Sequence, residues 1–260
     1  MPKNKFVVRN TAKKLGRNIM MTPRNTPLKA LSCGRIILNQ RKNSVAATSK
    51  GREVSLICLK GEGVVRVDGT PYAVKPYDTL YIPPGHTYEV STSNTVDVVE
   101  ASAPTKKPGA VLFIPFEKVE GDPNYHTAAG KESYQREINK TIDVNVPADR
   151  LLCGVTFGSP GNWTSWPPHE HGTSKEEVYL YIEMPKPGFG IQMMYDDMKK
   201  PYVVEPVFED DAVIITKGYH PNVAAPGFGM NFVWLMAALD PKVDRDWNIM
   251  HWQKEFAGKY

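Results

Sequence analysis

The first 52 residues contain no aspartate or glutamate, although they hold 13 lysines and arginines. The first acid is Glu53, and the remaining 208 residues carry 19 basic against 28 acidic groups. Nucleic-acid binding is one use of such a basic run. Here the bases are spaced among apolar residues with no stacking motif, so no nucleic-acid partner is expected. A solvated face or a subunit contact is the expected role, with steering of an anionic small molecule as the other use. Long apolar runs are missing too. None approaches the roughly 18 residues that span a bilayer, so no membrane partner is expected. The basic start, residues 1–9, lacks the apolar stretch of a secretory signal. Cysteine is scarce: Cys33, Cys58 and Cys153 are odd in number and far apart, and two lie in strand-like runs. Buried free thiols are expected rather than disulfides or zinc ligands, and with them a reducing cytoplasm. Helix-period stretches are also few, the best being the tail around 244–256.

Proline (22) and glycine (20) are plentiful and break the chain into short segments. Early strand candidates are 53–60, 63–67, 70–74, 79–83, 86–91 and 96–101. Later ones are 151–157, 177–183, 190–195, 202–208, 212–216 and 230–238. Asp68-Gly69 is a hairpin signal between two of the early candidates. Strands this closely spaced imply an all-β antiparallel sandwich or barrel.

The chain also echoes itself. Pro71-Tyr-Ala-Val-Lys-Pro76 recurs as Pro201-Tyr-Val-Val-Glu-Pro206, and in each copy an aspartate, Asp78 or Asp211, then leads an apolar strand into a histidine, His86 or His220. Upstream, Glu53-Val-Ser-Leu matches Glu177-Val-Tyr-Leu. A duplicated barrel follows, divided into residues 1–116 and 117–260 within the irregular stretch 103–147. Counting back from Glu177 reaches His169 and His171, whereas the same count from Glu53 reaches Val45 and Ala47. The first barrel is therefore expected to bind no metal and to serve in packing or in forming a homo-oligomer.

The second half carries the chemistry. His169 and His171 are separated by one residue and can face one side of a strand. Glu177 opens the next strand, and His220 follows a later one. Three imidazoles and a carboxylate suit zinc, manganese, iron or nickel, in a closed structural site or one open to substrate. The bland alternative is a set of unrelated surface or core histidines. Glu176 competes with Glu177 as the ligand; the phase that turns Tyr179 and Tyr181 inward favours Glu177. Lys217, Gln192 and Arg136 are candidates to hold a substrate acid, and Tyr181 to move a proton. Each also has a plain structural reading.

These residues resemble the bicupin sugar-acid isomerases, nearer to the 5-deoxy-glucuronate isomerases of inositol catabolism than to the 5-keto-4-deoxyuronate isomerases of pectin breakdown. The resemblance runs through Ala148-Asp-Arg-Leu-Leu, Pro160-Gly-Asn-Trp-Thr-Ser-Trp-Pro-Pro-His-Glu-His171, Glu177-Val-Tyr-Leu-Tyr, Gly188-Phe-Gly-Ile-Gln192 and Lys217-Gly-Tyr-His-Pro-Asn-Val-Ala-Ala-Pro-Gly227. It is strong over 147–238 and looser over 28–102. It implies duplicated cupin barrels, a zinc-like divalent metal on His169, His171, Glu177 and His220, and isomerisation of an aldehyde sugar acid to its ketose, most closely 5-deoxy-glucuronate to 5-dehydro-2-deoxygluconate. Glu177, Tyr181, Lys217 or a metal-activated water would act in catalysis, and Arg136, Gln192 and Lys217 would hold the substrate. Met193 departs from the pattern, standing where an arginine is expected. Another metal cupin enzyme, such as an epimerase or oxygenase, and a non-catalytic sugar-binding cupin stay open.

Overall fold

In the computed structural model, which describes residues 4–256 and 258, β-branched and aromatic runs between Pro and Gly breaks pair as antiparallel strands. Two sheets form each barrel. In the first, a six-stranded sheet orders Leu112–Ile114, Thr79–Ile82, Arg52–Gly61, Thr95–Pro104, Ser32–Asn39 and Gly16–Met21. It faces a four-stranded sheet of Ser44–Thr48, Thr87–Ser91, Gly63–Val67 and Thr70–Val74. In the second, a seven-stranded sheet runs from Val7–Val8 through Ala212–Ile215, Lys175–Tyr181, Phe232–Ala238, Leu151–Gly158 and Arg136–Ile142 to His126–Ala129. Its partner holds Trp163–Thr164, Asn222–Ala224, Gly190–Met194 and Val203–Val207. The chain is all-β, with one five-residue helix, Phe116–Glu120, among the described residues. No described helix is long and apolar enough to cross a membrane.

All twelve strand candidates lie on observed strands, while Gly16–Met21, Ser32–Asn39, Ser44–Thr48 and Arg136–Ile142 went unread. The stretch 103–147 is more ordered than an irregular linker, since it supplies two strands of the second barrel's large sheet. Conversely, Val7–Val8 leaves the first half of the chain and edges the second barrel beside Ala212–Ile215. The tail around 244–256 is not a helix. Asp246 Oδ1 accepts from the backbone N–H of Asn248 (2.8 Å), a local turn that competes with helix bonding. The segment His251–Trp252 then pairs as a short strand with His169–Glu170.

Each barrel has its own apolar interior, and a third apolar cluster lies between the two large sheets, with Cys33, Ile57, Val99, Cys153, Val178 and Leu235 among its members. The three cysteines are free and buried, as expected. Strand register corrects the internal echo. Asp78 and Asp211 are equivalent, each accepting from the N–H three residues earlier, Lys75 and Phe208. Val54 lies opposite Ile82 and Ser102, just as Glu177 lies opposite Ile215 and Met236. The counterpart of Glu53 is therefore Glu176, and that of Glu177 is Val54. Gly63 faces Val74 where Gly190 faces Val207, so the Pro-Tyr hexapeptides are displaced by three residues, and Tyr88 rather than His86 occupies the place of His220.

Glu53 and Glu176 hold the barrels together reciprocally. Glu176, from the second barrel, accepts the backbone N–H groups of Lys29, Ala30 and Leu31 at 2.5–2.7 Å. Glu53, from the first, accepts those of Asp149, Arg150 and Leu151 at 2.6–2.9 Å, with Tyr81 as a fourth donor. Both carboxylates are buried. Each satisfies backbone donors at the start of a strand in the other barrel, which a buried peptide needs.

Most bases of the opening segment are exposed, Lys5, Lys13, Lys14, Arg24, Lys29, Arg41, Lys42 and Lys50 among them, but three arginines pair with acids of the fold. Arg9 pairs with Glu205 and Asp211, Arg17 with Glu100, and the buried Arg35 with Asp97 and Asp210. Arg35 thus bridges the barrels. Glu53→Ala strands three backbone donors, so the chain should lose about 3 kcal/mol of stability in urea denaturation. A loss below about 0.5 kcal/mol would contradict the carboxylate's role.

Candidate metal centre

The strand Lys175–Tyr181 is buried along its whole length. Alternation sends Glu176 to the barrel interface and Glu177 into the second barrel. Glu176 is consumed by the N–H groups of 29–31, which leaves Glu177 as the carboxylate beside the histidines. His169 opens the two-residue strand His169–Glu170 and His171 follows it, while His220 follows the turn at Gly218, which has φ +79° and lies 2.9 Å (from its would-be Cβ) below the Tyr195 carbonyl. No side chain fits there without displacing backbone.

The three imidazole rings converge. Their centroids lie 4.5 Å apart for His169 and His220, and 5.3 Å for each with His171. One nitrogen from each comes within 4.8 Å of the others, and among the described residues this is the one such group. Glu177 Oε2 sits 3.4 Å from Nε2 of both His171 and His220. Every Nδ1 faces a backbone carbonyl: Pro167 at 3.4 Å, Ile249 at 3.3 Å and Gly218 at 3.0 Å. A carbonyl only accepts, so each Nδ1 carries the proton and Nε2 presents its lone pair inward. Nε2 of His171 and His220 and both oxygens of Glu177 are buried without any hydrogen-bond partner. Buried polar atoms are rarely left so. Three nitrogen donors and one carboxylate, oriented by carbonyls behind them, fit a divalent first-row cation.

Burial holds all three imidazoles neutral. It pushes His171 down to about 4, helped by the charge of Lys175, and His220 to about 4 against the opposing pull of Glu177. His169 falls well below the ordinary imidazole range for the same reason, with the other two rings adding to it. Burial raises Glu177 to about 7, partly offset by His220 and Lys175.

A pocket of about 260 Å³ opens on this cluster, and Arg136, Ser165, Trp166, Tyr179, Trp247 and Trp252 are among the residues lining it. Arg136 is the one substrate candidate brought to the site. Its guanidinium donates to the Tyr134 (3.0 Å) and Trp166 (2.7 Å) carbonyls, which fix its plane.

The other two, Gln192 and Lys217, and the proton-transfer candidate Tyr181 do not line it. Tyr181 is fully buried, donates instead to Gln192 and does not line the pocket. Gln192 spends its amide on the His220 carbonyl (3.0 Å) and the Pro221 carbonyl (3.3 Å), so it braces the His220 turn and has nothing left for a ligand. Lys217 is exposed, with its ammonium 3.8 Å from the centroid of the Tyr202 ring. Its turn carries it outward while His220 points in.

Two features went unread. Tyr179 places its hydroxyl 2.8 Å from Ser165 Oγ on the pocket wall; the strand phase named it as inward, but not its partner. The tail 247–252 closes the pocket, with Trp247 stacked on Trp234 at 4.5 Å. All five tryptophans gather here, four lining the pocket and Trp163 packing on Trp166 at 5.0 Å. In the first barrel, Val54 and Tyr88 stand where Glu177 and His220 do. There the ion pair Arg17–Glu100 fills the positions that Ile138 and Trp234 hold beside the pocket.

Paired antiparallel barrels with a histidine–carboxylate cluster inside one of them define a bicupin, and solved structures agree. A cupin 2 conserved barrel domain protein from Leptotrichia buccalis covers 92% of this chain and 91% of its own at a TM-score of 0.50 and 12% identity. An IolB-like protein from Salmonella typhimurium LT2 covers 97% and 98% at a TM-score of 0.85 and 23% identity. The model of the KduI/IolB family matches residues 6–257, and the chain belongs to that family. A curated relative, 5-deoxy-glucuronate isomerase of Geobacillus kaustophilus (strain HTA426), is 29% identical over 207 residues, 73% of each chain.

The neutral imidazoles make the metal-free protein sensitive to acid. Between pH 6.5 and 4 they bind no proton when folded but bind one each when unfolded, so stability falls as pH falls. Glu177, protonated when folded and ionised when unfolded between 4.5 and 7, offsets one proton of that difference. Each remaining proton is worth roughly 1.4 kcal/mol per pH unit. Urea midpoints at pH 7 and 5 should differ less in a His171→Gln/His220→Gln variant than in the parent. An unchanged difference would contradict the burial argument.

Proposed function

We propose that His169, His171, Glu177 and His220 hold one divalent metal, zinc first and manganese, iron or nickel as alternatives. On this reading the chain isomerises 5-deoxy-glucuronate to 5-dehydro-2-deoxygluconate. The observation that carries it is the set of unpartnered Nε2 and carboxylate atoms facing a pocket that also holds a fixed guanidinium. When bound, the metal supplies Lewis-acid polarisation of a carbonyl and its neighbouring hydroxyl.

The chain's own groups account for the rest. Arg136, half-buried among carbonyls and still cationic, pairs with the substrate carboxylate and sets which end of the sugar reaches the cluster. Burial raises the Tyr179 phenol, which therefore keeps its proton at neutral pH and donates a hydrogen bond to a substrate oxygen, with Ser165 as its relay. The tryptophan walls exclude water, which protects the proton moving between adjacent carbons from exchange. Family membership and the Geobacillus relative's name support the choice of substrate.

Metal-replete protein incubated with 5-deoxy-glucuronate should produce the ketose by NMR, faster than it converts 5-keto-4-deoxyuronate. His171→Ala should lose both metal and turnover. Tyr179→Phe should lower kcat by about a hundredfold with KM little changed, while Tyr181→Phe stays within a few fold of the parent. No turnover of either sugar, or full activity in metal-free His171→Ala protein, would end the proposal.

A further inference from the structure

Lys175 is a cation buried two residues from Glu177, beside a cluster suited to another cation. It is 2% exposed, and nothing in the reaction above uses it. Its ammonium donates to two carbonyls of the closing tail, Asp246 at 2.6 Å and Ile249 at 2.7 Å. The Ile249 carbonyl is also the acceptor for Nδ1 of His171. One backbone oxygen is therefore held by Lys175 on one side and orients a cluster imidazole on the other.

The tail has further ties beside the cluster. Trp252 pairs with His169 across the short strand and packs on its ring at 5.3 Å, and the Gln253 N–H reaches the Pro168 carbonyl at 2.9 Å. Between Asp246 and Met250 the backbone bonds only within its own turns, so apart from the packing of Trp247 on Trp234 the segment is tied to the barrel by Lys175 at two carbonyls and by His171 at one of them.

We infer that Lys175 is a positioning residue for the metal centre, acting through the Ile249 carbonyl to set the tautomer and plane of His171. The inference rests on the metal reading above. It has a sign that separates it from plain electrostatics. A buried ammonium repels a divalent cation, so if charge were its only effect, removing it would tighten metal binding. If Lys175 positions His171, removing it frees the carbonyl and weakens binding, by about tenfold or more, as loss of an orienting partner behind a ligand does.

The test is cobalt(II) titration of full-length protein against a competing chelator, read by visible absorption. Lys175→Met should raise the cobalt Kd about tenfold or more and change the ligand-field bands. A chain with glycine at 247–249 should show a similar loss, and Lys175→Met should add little in that background. Equal or tighter cobalt binding by Lys175→Met overturns the inference and leaves the metal reading intact. A parent protein that takes up no cobalt removes both. Should Lys175→Met not fold, unchanged affinity in the glycine variant overturns the inference alone.

Discussion

Alternation along one buried strand governs this molecule. Lys175, Glu176 and Glu177 are consecutive, ionisable and almost fully enclosed. None could be buried without dedicated partners. Lys175 has the tail carbonyls and Glu176 the backbone donors of 29–31, while both Glu177 oxygens stay unpartnered beside two imidazole nitrogens, an arrangement that a bound cation would complete. One short segment thereby joins the two barrels, closes the pocket and opens the cluster. A slip of one residue in its register would exchange the latch for the carboxylate beside the histidines and disable both.

The duplication explains why, among the described residues, one barrel carries a histidine cluster and its copy does not. Glu53 and Glu176 are equivalent, and both perform the same task across the interface. Their neighbours Val54 and Glu177 are equivalent too, and they diverge. Around Val54 the interior is aliphatic, with Ile36, Leu56, Val90 and Val98 filling the space, and the Arg17–Glu100 pair occupies what is pocket wall in the other copy. Packing that removes a cavity adds stability. The first barrel is a filled version of the second, and its large sheet lies against the interface cluster.

Much of this was legible in the sequence. Alternating apolar runs between Pro and Gly breaks locate most strands, because a half-buried strand needs that pattern. The His-x-His spacing, the strand glutamate and the distant histidine locate the cluster, because imidazoles two apart share a face. What was not legible has physical causes. The equivalence of Glu53 with Glu176 rather than Glu177 rests on backbone donors far away in sequence, and matching glutamates by their neighbours hides it. Gln192 and Lys217 looked like ligands for an acid because polarity in an apolar run suggests a partner. That partner is a backbone carbonyl in one case and an aromatic ring in the other. The tail read as a helix because apolar residues stand three and four apart, Trp247 with Met250 and Trp252 with Phe256; local turns and pairing with His169–Glu170 override it.

The central claim is that one barrel, and only one, is built to hold a divalent metal on three imidazoles and a carboxylate. Metal analysis of protein purified without chelators, combined with X-ray absorption at the metal edge, tests it most directly. The account predicts one equivalent per chain with a scattering pattern of three imidazoles and lighter oxygen ligands. Two equivalents per chain, sulfur scattering, or a metal retained after His171 and His220 are both replaced would contradict it.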